Sequence, residues 1–210
     1  MKILKTILIG AFAVSVCFAQ GNTESITVKD ADGNVYKTVK IGKQVWMAEN
    51  LRVTKYKDGS PIEFDTSTTT WNNAKTPRYC YYNNTPNADN IKKYGALYNW
   101  YVVSPANPKK IAPPGWHVPS DSEWRTSANT GANGNDLTVN NQSGFLGLPG
   151  GFRSNNGVFN NVGRYGYWWS ATENDASSSW ERYLNWGSST NLGRSINFKS
   201  AGFSVRLVRD

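Results

Sequence analysis

The chain has 210 residues, 39% of them hydrophobic and 13% aromatic, with 19 glycines and a formal net charge of +8. That length supports one large domain able to bury roughly 70% of its unfolded surface. The basic residues are scattered, with short pairs only at Lys92-Lys93 and Lys109-Lys110. This argues against the basic stripe or recognition helix of a nucleic-acid binder.

Residues 1–19 read as a signal peptide. Lys2 and Lys5 precede an apolar run over residues 6–16 that is too short to span a bilayer. Cys17-Phe18-Ala19 then offers small residues at the positions a signal peptidase reads. Cleavage before Gln20 leaves residues 20–210 as a single mature domain, expected to be secreted or held at the outer cell surface. Loss of Lys2 and Lys5 lowers the net charge from +8 to +6. Acylation of Cys17 is the alternative route to a surface. No other stretch approaches membrane-spanning length. In the mature chain Cys80 has no intramolecular disulfide partner, and its neighbours Tyr79, Tyr81 and Tyr82 predict a buried thiol.

Helix formers are sparse, while Gly, Asn, Ser, Thr and aromatics are abundant. An α+β fold follows, β- and loop-rich with one or two short helices. Asp32-Gly33 and Gly42-Lys43 predict hairpin turns joining strands over 23–30, 35–41 and 44–47. Asp30, Asp32 and Asn34 also carry the alternate oxygens of a calcium loop, but the glycine falls too early for an EF-hand and no Glu closes it. A bare turn is favoured, so no cofactor is expected. Residues 52–94 are irregular, with one helical turn within 66–73, a strand over 78–82 and an Asn-rich loop over 83–90. Residues 95–103 form a short helix or a strand. Ser120 and Glu123 make a capping box that starts a helix at Asp121, running to about Asn129 and stopping near Gly131. His117 is the sole histidine, which precludes a multi-His metal centre and favours a structural role.

The last third combines alternation with dense aromatics. Phe203, Val205 and Leu207 alternate with Ser204 and Arg206, which are expected to point the other way. Trp168 and Trp169, adjacent on a predicted strand, should face opposite ways. On a strand through 180–186, Trp180, Arg182, Leu184 and Trp186 share one face, and Glu181, Tyr183 and Asn185 the other. Trp180, Arg182, Tyr183, Asn185 and Trp186, with Tyr165, mix stacking faces with amide and guanidinium donors. They are the expected ligand-binding residues.

Ordered motifs give a family resemblance. Val35-Tyr36-Lys37-Thr38-Val39-Lys40-Ile41-Gly42 with Trp46-Met47-Ala48-Glu49-Asn50-Leu51 resembles the opening of the Fibrobacter succinogenes major paralogous domain. Tyr79-Cys80-Tyr81-Tyr82-Asn83-Asn84, Tyr94-Gly95-Ala96-Leu97-Tyr98-Asn99-Trp100-Tyr101 and Gly115-Trp116-His117-Val118-Pro119-Ser120 follow in order. Leu148-Pro149-Gly150-Gly151-Phe152-Arg153, Gly166-Tyr167-Trp168-Trp169-Ser170-Ala171-Thr172 and Gly202-Phe203-Ser204-Val205-Arg206 complete the pattern. The chain is more distantly similar to the formylglycine-generating (sulfatase-modifying) family and to variable proteins of diversity-generating retroelements. Both resemblances imply a C-type-lectin-like fold with its two ends paired. Many members carry a Cys where this chain has Leu207, so the family disulfide to Cys80 is absent here. The copper chemistry of the formylglycine-generating oxidase needs a pair of thiolates, which Cys80 alone does not supply.

These features point to a non-catalytic binding module for a polysaccharide, glycan or surface protein. A structural or adhesin part and a retroelement-diversified receptor are the alternatives. A hydrolase would need a carboxylate couple such as Glu173 with Asp175 or Asp121 with Glu123, pairs that arise readily by chance.

Overall fold

The computed structural model describes residues 26–72, 74–129, 144–186 and 192–210. The predicted signal peptide, the cleavage site before Gln20 and Cys17 therefore lie outside the described residues. So do the expected helix stop at Gly131 and nearly all of the Asn- and Gly-rich connection that follows it.

The N-terminal elements are β1 (Thr27–Lys29), β2 (Val35–Ile41) and β3 (Gln44–Met47). Asp30 shapes the first turn. One carboxylate oxygen accepts the amides of Asp32 and Asn34, and the other accepts the Asn34 side-chain amide and the Tyr36 hydroxyl. Asp32 turns instead to the Thr54 amide, so the proposed calcium oxygens do not converge. Gly42-Lys43 makes the second turn, with Ile41 opposite Gln44 and Gly42 at φ 62°.

Between them and the C-terminal strands lie β4 (Glu63–Phe64), α1 (Thr68–Asn72), β5 (Arg78–Cys80), α2 (Ala88–Tyr94), β6 (Leu97–Asn99), α3 (Trp100–Val103) and α4 (Asp121–Asn129). Four α-helices rather than one or two stand among the described residues. The unexpected one is α2, started by the Asn87 side chain accepting from the Asn90 amide and stopped at Gly95. Residues 95–103 are both alternatives in turn, β6 and then α3. The capping box forms as expected. Ser120 Oγ accepts the Glu123 amide at 3.3 Å, and Glu123 Oε2 accepts the Ser120 amide at 2.7 Å.

The remaining strands are β7 (Gly150–Arg153), β8 (Phe159–Val162), β9 (Tyr165–Glu173), β10 (Ser178–Asn185), β11 (Gly193–Phe198), β12 (Gly202–Phe203) and β13 (Val208–Arg209). One sheet runs β1-β2-β3-β13, so the C-terminal strand closes onto the N-terminal hairpin. The other has nine strands in the order β11-β10-β9-β7-β12-β6-β5-β4, with β8 beside β7. Gly151 sits at φ 65° where an added Cβ would lie 2.5 Å from the Asn160 carbonyl, so the β7-β8 hairpin requires glycine there.

The main core joins Tyr36, Met47, Leu51 and Tyr98 to Trp169, Phe203, Val205 and Leu207. A second cluster gathers Trp46, Trp124, Phe145, Trp168, Leu184 and Val208. Trp168 and Trp169 do point apart, but both are buried because each face of β9 meets a core cluster. Cys80 is buried with Trp71 and Leu97 in a third cluster, away from the main core that holds Leu207. Burial pushes its thiol up to about 12, against the pull of Arg153. No helix of the described residues is long and apolar enough to cross a membrane.

Arg206 alternates away from Val205 and Leu207 and is fully buried on the other face of this segment, which runs through the interior. Its guanidinium donates to Asn50 Oδ1 at 2.6 Å and to the carbonyls of Met47, Phe145 and Leu146 at 2.7–2.9 Å. The ring of Phe145 lies 4.5 Å from its guanidinium carbon.

Candidate functional site

Alternation divides β9, β10 and β11 into two faces. On one face Tyr167 stands opposite Tyr183, Tyr165 opposite Asn185, and Trp169 opposite Glu181. Ser195 and Gly193 of β11 continue these rows. Gly193 has a reason: a Cβ there would fall 2.2 Å from the Tyr183 ring, so the missing side chain lets the ring lie across β11. Tyr165 and Tyr167 stack at 5.9 Å, and Tyr167 and Tyr183 lie 6.3 Å apart. Asn161 donates to the Tyr167 hydroxyl at 2.8 Å and Asn185 to the Tyr165 hydroxyl at 3.2 Å. The rings and amides are thus held in place.

Tyr165, Tyr167, Tyr183 and Asn161 wall an open groove of about 500 Å³, completed by Arg164 and Ser195, with Glu181 among its lining residues. Glu181 is 2% exposed, and its Oε2 has no partner among the described residues. Burial pushes its carboxyl from the ordinary 4.5 up to about 8, and the Arg182 charge pulls weakly the other way. Ser179, two residues along the same face, is also buried with an unpartnered hydroxyl. Native proteins leave few such groups unpaired, and each calls for an explanation.

The opposite face is structural. Arg182 is 4% exposed and donates to Asp121 Oδ1 at 2.5 Å and to the Asp121 carbonyl at 2.9 Å. Arg194 reaches the same carboxylate at 2.9 Å and Arg125 at 3.1 Å. Burial alone would raise the Asp121 carboxyl, but the Arg194 hydrogen bond and the charges of Arg182 and Arg194 hold it below its ordinary value. Trp180 is half-buried, its ring centre 3.2 Å from the Arg194 guanidinium carbon.

The six expected ligand residues therefore separate. Tyr165 and Tyr183 line the groove and Asn185 stands behind them, donating to the Tyr165 hydroxyl, while Arg182 is withdrawn into an ion pair and Trp180 lies on the reverse. Trp186 is half-buried at the strand end, where its amide donates to the Arg164 carbonyl. Tyr167, Asn161, Arg164, Glu181 and Ser195 were not nominated. Alternation alone placed Glu181 beside Tyr183, but its burial comes from β9, which sequence order does not reveal.

The nominated carboxylate couples are already engaged. Asp175 accepts from Ser177 and Ser178, and Glu173 pairs with Lys199. Glu123 closes the capping box and meets His117 Nε2 at 2.6 Å. His117, Glu123 and Asp210 place potential ligand atoms within 4.8 Å of one another, with the Gln44 amide donating to both carboxylates. A second cleft, of about 370 Å³ beside Ile111, Pro113 and Trp116, has mainly apolar walls and no unpartnered buried polar atom among them.

The Fibrobacter succinogenes major domain matches residues 39–133 and 125–209. The chain belongs to this family. No curated protein and no solved structure matches it. In this Fibrobacter succinogenes major domain protein, residues from separate motifs meet inside. Asn50 Oδ1 accepts both Arg206 Nε and the Trp168 indole at 2.9 Å, and its amide donates to the Tyr94 carbonyl and Ser204 Oγ. Arg153 is likewise buried, donating to the carbonyls of Asp65, Thr66 and Gly157 with Trp71 stacked on it at 4.3 Å. The motif arginines are scaffold, and the groove is built chiefly on β9 and on β10, which no motif covers.

Proposed function

We propose that this chain is a non-catalytic binding module of the cell exterior, with a C-type-lectin-like architecture, whose tyrosine-walled groove binds carbohydrate. The observation that carries this is Glu181, a buried carboxyl with an unpartnered oxygen in a groove lined by Tyr165, Tyr167 and Tyr183. Sugar rings offer apolar faces for stacking and hydroxyls for such polar groups. The pairing of β13 with β3 is what a lectin-like closure of the two ends calls for. Glycoside hydrolysis uses two carboxyls across the scissile bond, whereas Glu181 is the one carboxyl among the groove's described lining residues. Export through residues 1–19 fits this role, and N-terminal sequencing of the secreted protein should begin at Gln20.

A panel of soluble polysaccharides screened by calorimetry tests the proposal. Tyr183→Ala should weaken binding about tenfold or more, the scale of losing one well-placed aromatic contact. Trp180→Ala, on the reverse face, should leave affinity within about twofold. Equal loss in both variants, or no saccharide bound by the wild type, would refute the groove as a carbohydrate site.

A second proposal, an assembly component, draws support from β11. It is the edge of the nine-stranded sheet and exposes Ile196 and Phe198. Exposed apolar edges favour strand addition. Concentration-dependent sedimentation abolished by Phe198→Lys would favour assembly, and a monomer at all concentrations would remove it.

A further inference from the structure

We propose that Glu181 is the specificity-determining residue of the groove, a neutral carboxyl that donates its proton in a hydrogen bond to a hydroxyl of an uncharged sugar. This rests on the carbohydrate reading and names the ligand's charge class.

The groups facing Glu181 decide its state. From β9 come Tyr165 and Tyr167, and from its own strand Tyr183. Ser195 of β11 faces it and brings no charge. Arg182 is its chain neighbour but lies on the opposite face, bound to Asp121. Arg194 is held on that face by the same carboxylate. Arg164 stands exposed among the lining residues, and no ion pair joins it to Glu181. Among the described residues no cation pairs with the carboxyl. A carboxylate buried without a counter-charge takes up a proton instead. Once protonated it is a donor, and Oε2 has no described protein acceptor. A ligand oxygen reaching the groove would supply one.

The sign of the pH dependence follows. The carboxyl is protonated below about 8 and loses its proton above it. A ligand that accepts from Glu181 is therefore held at neutral pH and released as pH rises. A cationic ligand would behave in the opposite way, gaining from the carboxylate. Burial also raises the tyrosine hydroxyl of Tyr167, so it stays neutral at pH 9.

The test is calorimetry of the mature chain at pH 6 and pH 9, with neutral hexasaccharides of the glucan, xylan and mannan types and a chitosan hexamer. The wild type should bind a neutral hexasaccharide at pH 6 and lose about tenfold at pH 9. Glu181→Gln, neutral at both values and still a donor, should keep the pH 6 affinity within about threefold and hold it at pH 9. Glu181→Leu, of similar size but no donor, should bind weakly at both. Melting curves at each pH confirm that the variants are folded. Binding that is flat with pH, or lost in Glu181→Gln while the chain stays folded, overturns the proposal and leaves the carbohydrate site standing. Preference for chitosan overturns it in favour of a cationic ligand. If no saccharide binds the wild type, the proposed function fails and this inference with it.

Discussion

Arg206→Met should destabilise the chain by about 4 kcal/mol, a large part of the ~5–15 kcal/mol that holds a domain of this kind together. The substitution keeps the apolar stem. It leaves Asn50 Oδ1 with one donor fewer and removes the buried guanidinium from the carbonyls of Met47, Phe145 and Leu146. Burial draws the guanidinium down to about 9, with Glu49 the opposing charge, so it remains cationic at neutral pH. Arg206→Lys distinguishes geometry from charge. An ammonium on a shorter stem cannot reproduce a planar fork, so it should lose nearly as much as methionine. Urea midpoints of the two variants measure this, and a lysine variant as stable as the wild type would show that charge alone suffices.

Asp121→Ala is expected to cost about 3 kcal/mol by leaving Arg182 buried and uncompensated. A double variant with Arg182→Leu should recover part of that loss, since removing both partners is milder than removing one. The pH dependence has a definite sign. Asp121 titrates below its ordinary value of 3.8, so its stabilising contribution is present above that value and fades as pH falls through the lower one. The stability gap between wild type and Asp121→Asn should therefore narrow on acidification below pH 3.8. A gap that is flat with pH would mean that the ion pair contributes nothing through charge.

What the sequence disclosed was local. The Ser120 and Glu123 capping box and the Gly42-Lys43 turn depend on residues within three positions of each other, and both formed as expected. The helix at Ala88–Tyr94 went unseen because its cap, Asn87, stands among other asparagines that favour turns equally. The burial of Arg153 and Arg206 was not legible because most of their acceptors are backbone carbonyls scattered along the chain, and a carbonyl leaves no mark in a sequence. Of the groove, alternation placed Glu181 and Tyr183 on the same face. It did not disclose that β9 would bring Tyr165 and Tyr167 against them, nor that Arg182 would be captured by α4. Long-range register decided both.

The hydrogen bond from Arg206 to Asn50 joins positions 156 residues apart, and β13 adds the last strand of the N-terminal sheet. Such pairings close long loops before they are rewarded, which slows folding. A polypeptide emerging from its N-terminus therefore has neither Arg206 for Asn50 Oδ1 nor β13 for the second edge of β3 until nearly all of it has been made. Until then those interior surfaces stay open to whatever accompanies the nascent chain.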